Sequence, residues 1–151
     1  MIQASLSTPF GDLIVTEEDG AITALGWGQA ARQDRSDLLD AALRQINEYA
    51  TGERQRFDLP LRVKGSDFQR TVCAAILAIP FGDTRTYGEI ARDLGVPAQA
   101  VGGACGGNPI PIIVPCHRVM GAKGLTGFSG AGGVETKVAL LRHEGAAGLL
   151  I

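Results

Sequence analysis

The hydrophobic pattern of this 151-residue chain changes period once, near Ser66. Before that point "IQASLSTPFGDLIVTEEDGAITALGW" alternates apolar and polar residues, as strands do, with breaks at residues 9 to 11 and at Asp19-Gly20, a strong hairpin signal. A small antiparallel sheet is expected there. "SDLLDAALRQINEYATG" then sets Leu38, Leu39, Ala42, Leu43, Ile46 and Tyr49 on one helical face, with Ser36 as N-cap and Gly52 past the end. "FDLPLRV" reads as a short extended segment.

After Ser66 the spacing is helical and glycine abounds. "SDFQ" reads as a capping box opening a helix with Phe68, Val72, Ala75, Ile76 and Ile79 on one side, stopped by Pro80. "TYGE" at Thr86 to Glu89 is a second capping box, whose short helix ends at Gly95. "AQAVGGACGG", after Val96-Pro97, is a third short helix despite four glycines. Two short helices joined by a Gly-containing turn form a helix-turn-helix candidate, though two packed core helices would read the same way. "GAKGLTGFSGAGG", with six glycines in thirteen residues, must be a loop, and its length leans functional. The last helix, "VETKVALLRHEG", brings Val134, Val138 and Leu141 into register. The expected fold class is α/β of the α+β kind. Residues 1 to 65 form an N-terminal domain with a small antiparallel sheet and a helix; residues 66 to 151 form a mainly helical C-terminal domain with a helix-turn-helix and an active-site loop.

With 45% hydrophobic and 20% charged residues, the composition is that of an ordinary globular protein. No apolar run approaches the roughly 18 residues of a spanning helix, and the first residues lack the regions of a leader. No membrane partner and a cytoplasmic location are expected. Cys73, Cys105 and Cys116, at spacings of 32 and 11, are unlike a disulfide scaffold and are expected as reduced thiols. With two histidines and no CxxC pair, no metal is expected. Residues 1 to 65 hold seven Lys/Arg against ten Asp/Glu, and residues 66 to 151 seven against six. The second half is the better candidate to meet a polyanion, without the basic footprint of a tight, salt-sensitive binder.

"NPIPIIVPCHRVMGAKG", residues 108 to 124, places Cys116, His117 and Arg118 directly after a run that reads as buried. These supply nucleophile, candidate base and fixed cation. A thiol attacks as thiolate and needs help to ionise at neutral pH. On an extended strand the two side chains would point to opposite faces, so a shared proton requires a tight turn, a helical start or a bridging water. "RHEG" offers Glu144 as the carboxylate that orients the imidazole. A Cys-His pair alone is weak evidence, since a free Cys after an apolar run is more often a small core residue than a nucleophile. Cys73 reads as core, and His143 as a helix-end residue favourable to the macrodipole.

The whole constellation from Ser66 to Gly145, above all "PCHRV" preceded by "NPIPIIV", resembles the C-terminal domain of the O6-alkylguanine-DNA alkyltransferases. The first 65 residues fit that family's variable small α/β domain in general shape only. The resemblance implies single-use DNA repair without a cofactor. A damaged base is flipped into a pocket, Cys116 attacks the alkyl carbon at O6, His117 takes the thiol proton through a water, and Glu144 orients His117. Asn108 would hold the turn carrying the cysteine, and Tyr87 would donate to the leaving guanine. Pro109 and Pro111 would wall the pocket, with the backbone around Cys116 and Val119, Phe128 and Ser129 against the base. The implied partner is double-stranded DNA containing O6-alkylguanine, met by a monomer. The second helix of the helix-turn-helix would enter the minor groove, where Ala98, Ala100, Gly102, Gly103 and Ala104 let the backbone approach. Phosphate contacts would come from Arg85, Arg92, Arg118 and Lys123.

Three departures stand out. The family's base-stack arginine in "ARAVG" is Gln99 here, which loses the charge and the planar cation, so weaker DNA binding and slower repair are expected. Phe128 stands where tyrosine is common and keeps the ring. Cys105 and Gly106 occupy places where relatives carry larger or basic residues, thinning the DNA contacts. Three rival readings remain at this level. A damage-binding protein with slow or no transfer fits Gln99, while a transcription regulator would leave "PCHRV" and Glu144 idle. A thiol hydrolase would lack an oxyanion-hole motif.

Overall fold

A computed structural model describes residues 1 to 121 and 133 to 146. The chain divides into two compact units, Met1–Lys64 and Gly65–Ile151.

In the first unit β1 (Ile2–Thr8), β2 (Gly11–Glu18) and β3 (Ala21–Trp27) form an antiparallel meander in that order. Alternation buries Ala4, Leu13, Val15, Ile22 and Leu25, with a register shift at Thr16/Glu17. Asp19 and Gly20 both take positive φ (49° and 77°), the left-handed pair that a tight hairpin turn requires. The helix α1 (Asp37–Ala50) starts where Ser36 Oγ accepts the Leu39 N–H at 2.9 Å, and it buries Leu39, Ala42, Ile46 and Tyr49. Leu38 and Leu43, expected on the same face, are only half-buried, and Gln45 takes an inner place. The Gln45 amide exchanges two hydrogen bonds with the Asp58 backbone (3.0 and 2.8 Å). That fastens the returning extended segment, whose Pro60 and Arg62 bond the backbone of Ile22.

The second unit runs α2 (Asp67–Leu77), β4 (Arg85–Thr86), α3 (Tyr87–Leu94), α4 (Ala98–Gly106), a 3-10 turn (Cys116–Arg118), β5 (Val119–Met120) and α5 (Val134–His143). Ser66 caps α2 by accepting the Gln69 N–H at 3.0 Å, but the reciprocal half of the expected box is not made. The Gln69 side chain reaches Ala104 instead. The buried face of α2 is Val72, Cys73 and Ile76, with Ile79 just beyond it; Phe68 is exposed, because the face is turned toward Cys73. In α3 the capping box is complete, and Gly95 (φ 68°) ends the helix in the left-handed region. That turn packs α3 against α4, and α4 packs on α2, so the helix-turn-helix is real and is also part of the core. β4 pairs in parallel with β5, Arg85 opposite Val119 and Thr86 opposite Met120.

The register of α5 differs from expectation. Val134 is 43% exposed, and the inward face is Lys137, Leu140, Leu141 and Glu144. Two leucines with a charged residue before and after make a better-partnered inner face than the valines, since both charged groups find hydrogen bonds inside. Among the described residues, no helix is long and apolar enough to cross a membrane.

Candidate active site

Cys116 is delivered by two tight turns in succession. The Ile113 N–H donates to Pro111 O (2.9 Å) around Ile112, whose φ of 71° is strained for a β-branched residue. The Cys116 N–H donates to Val114 O (2.8 Å) around Pro115, at φ −81° and ψ 65°, an inverse γ-turn. Asn108 fastens the bend: Nδ2 donates to Val114 O at 2.8 Å and Oδ1 accepts the Ile110 N–H at 3.0 Å, and the same amide helps hold the Cys116 thiol's pKa down. Cys116 therefore opens a 3-10 turn rather than lying on a strand.

His117, Arg118 and Glu144 form a closed network. His117 Nε2 lies 2.7 Å from Glu144 Oε2, and both side chains are 0% exposed. Arg118 donates through Nε to Glu144 Oε1 (2.8 Å), through Nη2 to Oε2 (3.1 Å) and through Nη1 to Ile79 O (2.6 Å), with its guanidinium 5.8 Å from the Phe81 ring centroid. The carboxylate can only accept, so Nε2 carries the hydrogen and Nδ1 is the basic atom. Nδ1 is buried with no hydrogen-bond partner among the described residues. Burial holds His117 below its ordinary 6.5, outweighing the upward pull of Glu144, so the imidazole is neutral at pH 7. Burial likewise pushes the Cys116 thiol up, against the Asn108 amide and the Lys137 charge. The resting pair is thiol and free base.

Lys137 was not among the residues expected at the site. Its side chain is fully buried, Nζ donates to Val119 O at 2.6 Å, and the ammonium lies 5.9 Å from the Tyr87 ring centroid. Burial lowers its pKa while the Cys116 and Cys105 thiols pull it back up. Tyr87 reaches this group as the first residue of α3, set there by the β4–β5 pairing. A signal existed in the sequence: positions 137, 140, 141 and 144 share one helical face, and two of them are charged.

A family model for "6-O-methylguanine DNA methyltransferase, ribonuclease-like domain" matches residues 1–63, and one for "6-O-methylguanine DNA methyltransferase, DNA binding domain" matches residues 67–146. The chain belongs to the 6-O-methylguanine DNA methyltransferase family. A methylated-DNA–protein-cysteine methyltransferase of Mycobacterium tuberculosis is 55% identical over 106 residues, covering 68% of this chain and 63% of that protein, so this match spans less than two thirds of the relative. The constitutive methylated-DNA–protein-cysteine methyltransferase of Bacillus subtilis is 41% identical over 151 residues, covering 91% of each. The crystal structure of Mycobacterium tuberculosis OGT in complex with DNA superimposes with a TM-score of 0.85 at 43% identity, covering 95% of this chain and 92% of that one.

The residues expected to face DNA can be placed one by one. On α4, Ala98, Gln99 and Gly103 are exposed, and Ala100 and Gly102 half-buried. A Cβ built at Gly102, Gly103 or Gly106 meets nothing within 4 Å, so nothing inside the fold requires glycine there. Arg85 is half-buried and pairs with Asp93 at 2.8 Å, while Arg92 is exposed. Arg118 corrects an expectation: at 6% exposure, with its guanidinium nitrogens engaged by Glu144 and Ile79, it is not a surface phosphate contact. Ala104 and Cys105 also face inward, and burial pushes the Cys105 thiol up to about 12, so both belong to the core of α4 rather than to its outer face. Pro109 is half-buried and Val119 fully buried. Phe128, Ser129 and Lys123 lie outside the described residues.

Proposed function

We propose that this chain repairs DNA by moving the alkyl group of O6-alkylguanine onto Cys116, once per molecule. The observation that carries the reading is a buried His117–Glu144 pair, 2.7 Å apart, adjoining a buried thiol on an Asn108-fastened turn. A thiol raised by burial is a poor nucleophile until a base removes its proton, and His117 Nδ1 is the neutral, unbonded base nearest in sequence.

The steps balance without a cofactor. One water hands the Cys116 proton to His117 Nδ1, and Glu144 stabilises the imidazolium that forms. Sγ attacks the alkyl carbon in line; the S–C bond forms as the C–O6 bond breaks, and the electron pair departs with guanine. Tyr87 O–H meets that developing anion, while Asn108 keeps Sγ in line. A thioether is stable in water, so the alkylated protein is the end product.

An alkylated base in a duplex is reached by flipping it out of the stack. The exposed face of α4 supports entry into a minor groove about 6 Å wide, because Ala98, Gly102, Gly103 and Gly106 keep side-chain bulk away. Gln99 at its start fills the place of the flipped nucleotide. Residues 66 to 151 carry both DNA binding and transfer, with residues 1 to 65 as their support. The protein acts as a monomer, and its free thiols fit the reducing cytoplasm. Intact-mass and peptide-mass measurement after mixing with a duplex carrying one O6-methylguanine is the test. One methyl group on Cys116, and none on a Cys116→Ala variant, is expected; an unchanged mass with selective lesion binding would make the protein a damage flag.

A further inference from the structure

Gln69 is neither at the thiol nor on the outer face of α4, yet it joins the two. Its side-chain amide leaves α2 and donates to Ala104 O in the last turn of α4 at 2.7 Å, with Cys73 Sγ a longer second acceptor at 3.5 Å. Its Oε1 lies against Gly107, where a Cβ would come within 3.2 Å of it. The helix needs such a brace. Pro97 at its start gives no side-chain cap, and Gly102, Gly103 and Gly106 lower its intrinsic helicity. The braced turn also leads directly to the nucleophile. The Asn108 N–H donates to Cys105 O (3.2 Å), and Val114 O, which accepts Asn108 Nδ2 (2.8 Å), also accepts the Cys116 N–H (2.8 Å).

We propose that Gln69 is a positioning residue for recognition of damaged DNA, bracing the last turn of α4 so that the DNA-facing helix and the Asn108 turn keep one register. The inference rests on the alkyltransferase reading and deepens it. What the position requires is an N–H donor for the Ala104 carbonyl. Alanine leaves that carbonyl without its side-chain donor, and a glutamate carboxylate turns acceptors toward an acceptor. A lysine is long enough to donate again. Because the Asn108 turn keeps its own bonds to Val114 O, the Ile110 N–H and Cys105 O, losing the brace falls on how α4 meets the duplex and spares the intrinsic chemistry.

Three variants, Gln69→Ala, Gln69→Glu and Gln69→Lys, separate these effects with two substrates. One is a duplex carrying a single O6-methylguanine, used below saturation. The other is the free base O6-benzylguanine, whose benzylic carbon is reactive to displacement and which needs no groove. Expected is a loss of about fivefold in duplex affinity and duplex transfer for the Ala and Glu variants, the worth of one hydrogen bond. Free-base transfer stays within about twofold, and Gln69→Lys recovers the duplex values to that same margin. Unchanged duplex affinity in Gln69→Ala, a Glu variant equal to wild type, or free-base transfer falling in step with duplex transfer would each overturn the proposal. If the wild-type protein accepts an alkyl group from neither substrate, the alkyltransferase reading fails by itself, and duplex affinity across the three variants still decides the brace.

Discussion

Glu144 accepts the Nε2–H of His117 at 2.7 Å, with neither side chain reached by solvent, and the same carboxylate is held by Arg118 through both oxygens. A carboxylate at that distance ordinarily makes a histidine more basic. Here burial acts first in the opposite direction, and the Arg118 and Lys137 charges add to it, so the imidazole stays neutral while its tautomer is fixed. The geometry is that of a base poised to receive a proton rather than of a standing ion pair.

The pH dependence of transfer follows. His117 must be unprotonated to act, and its pKa lies below the ordinary 6.5, so the acid limb of the single-turnover rate lies below pH 6.5. The Cys116 thiol is raised above its ordinary 9.0, so any second inflection lies above that pH. Between the two the rate is flat. Stopped-time assays across the range check it, and an acid limb centred above 6.5 would contradict a neutral resting imidazole.

Removing Arg118 strands a buried carboxylate. Arg118→Met is expected to cost about 3–5 kcal/mol of stability, the usual penalty for breaking a buried pair from one side. Adding Glu144→Gln to it should cost less than the two single changes summed, because the stranded charge is then gone. Denaturant titrations of the four proteins measure the coupling. Additive losses would show that the two residues act independently.

The outer glycines of α4 should trade stability against DNA binding. Gly102→Ala and Gly103→Ala meet no atom within 4 Å in the fold, so each is expected to stabilise the protein by about 0.5–1 kcal/mol through helix propensity. The added methyl groups should weaken duplex binding, since they stand where the groove wall would come. Thermal unfolding and duplex affinity measured together check this. Stabilised variants that bind DNA as well as wild type would remove α4 from the interface.

Gln99 is exposed at the second residue of α4. Gln99→Arg is expected to raise both duplex affinity and transfer rate, and to steepen the salt dependence of binding by about one phosphate's worth. No gain in rate or affinity would show that glutamine already serves the base stack as well as a cation.

Much of this was legible in the chain itself. Period-2 alternation with Asp19-Gly20 specified the meander, and Thr86 with Glu89 specified the start of α3, because both signals act between residues close in sequence. "SDFQ" was only half legible: Ser66 caps its own helix, but the Gln69 side chain, instead of accepting the Ser66 N–H, donates to Ala104 O, 35 positions away in sequence. The inner face of α5 was misread for a related reason. Its valines and leucines allow two registers, and the choice fell to Lys137 and Glu144, whose partners Val119, His117 and Arg118 come from the turn after the prolines.

By itself the sequence determined the two-part order of strands and helices and singled out Cys116 with His117 as the candidate nucleophile and base, since each is written in local pattern and residue type. Only the tertiary structure decided that Arg118 turns inward to Glu144 rather than outward to DNA, that Lys137 is buried beside Tyr87, and that Cys105 is core. A charged side chain goes inside only where partners from distant segments satisfy it. That balance of burial against hydrogen bonding exists only once those segments have met.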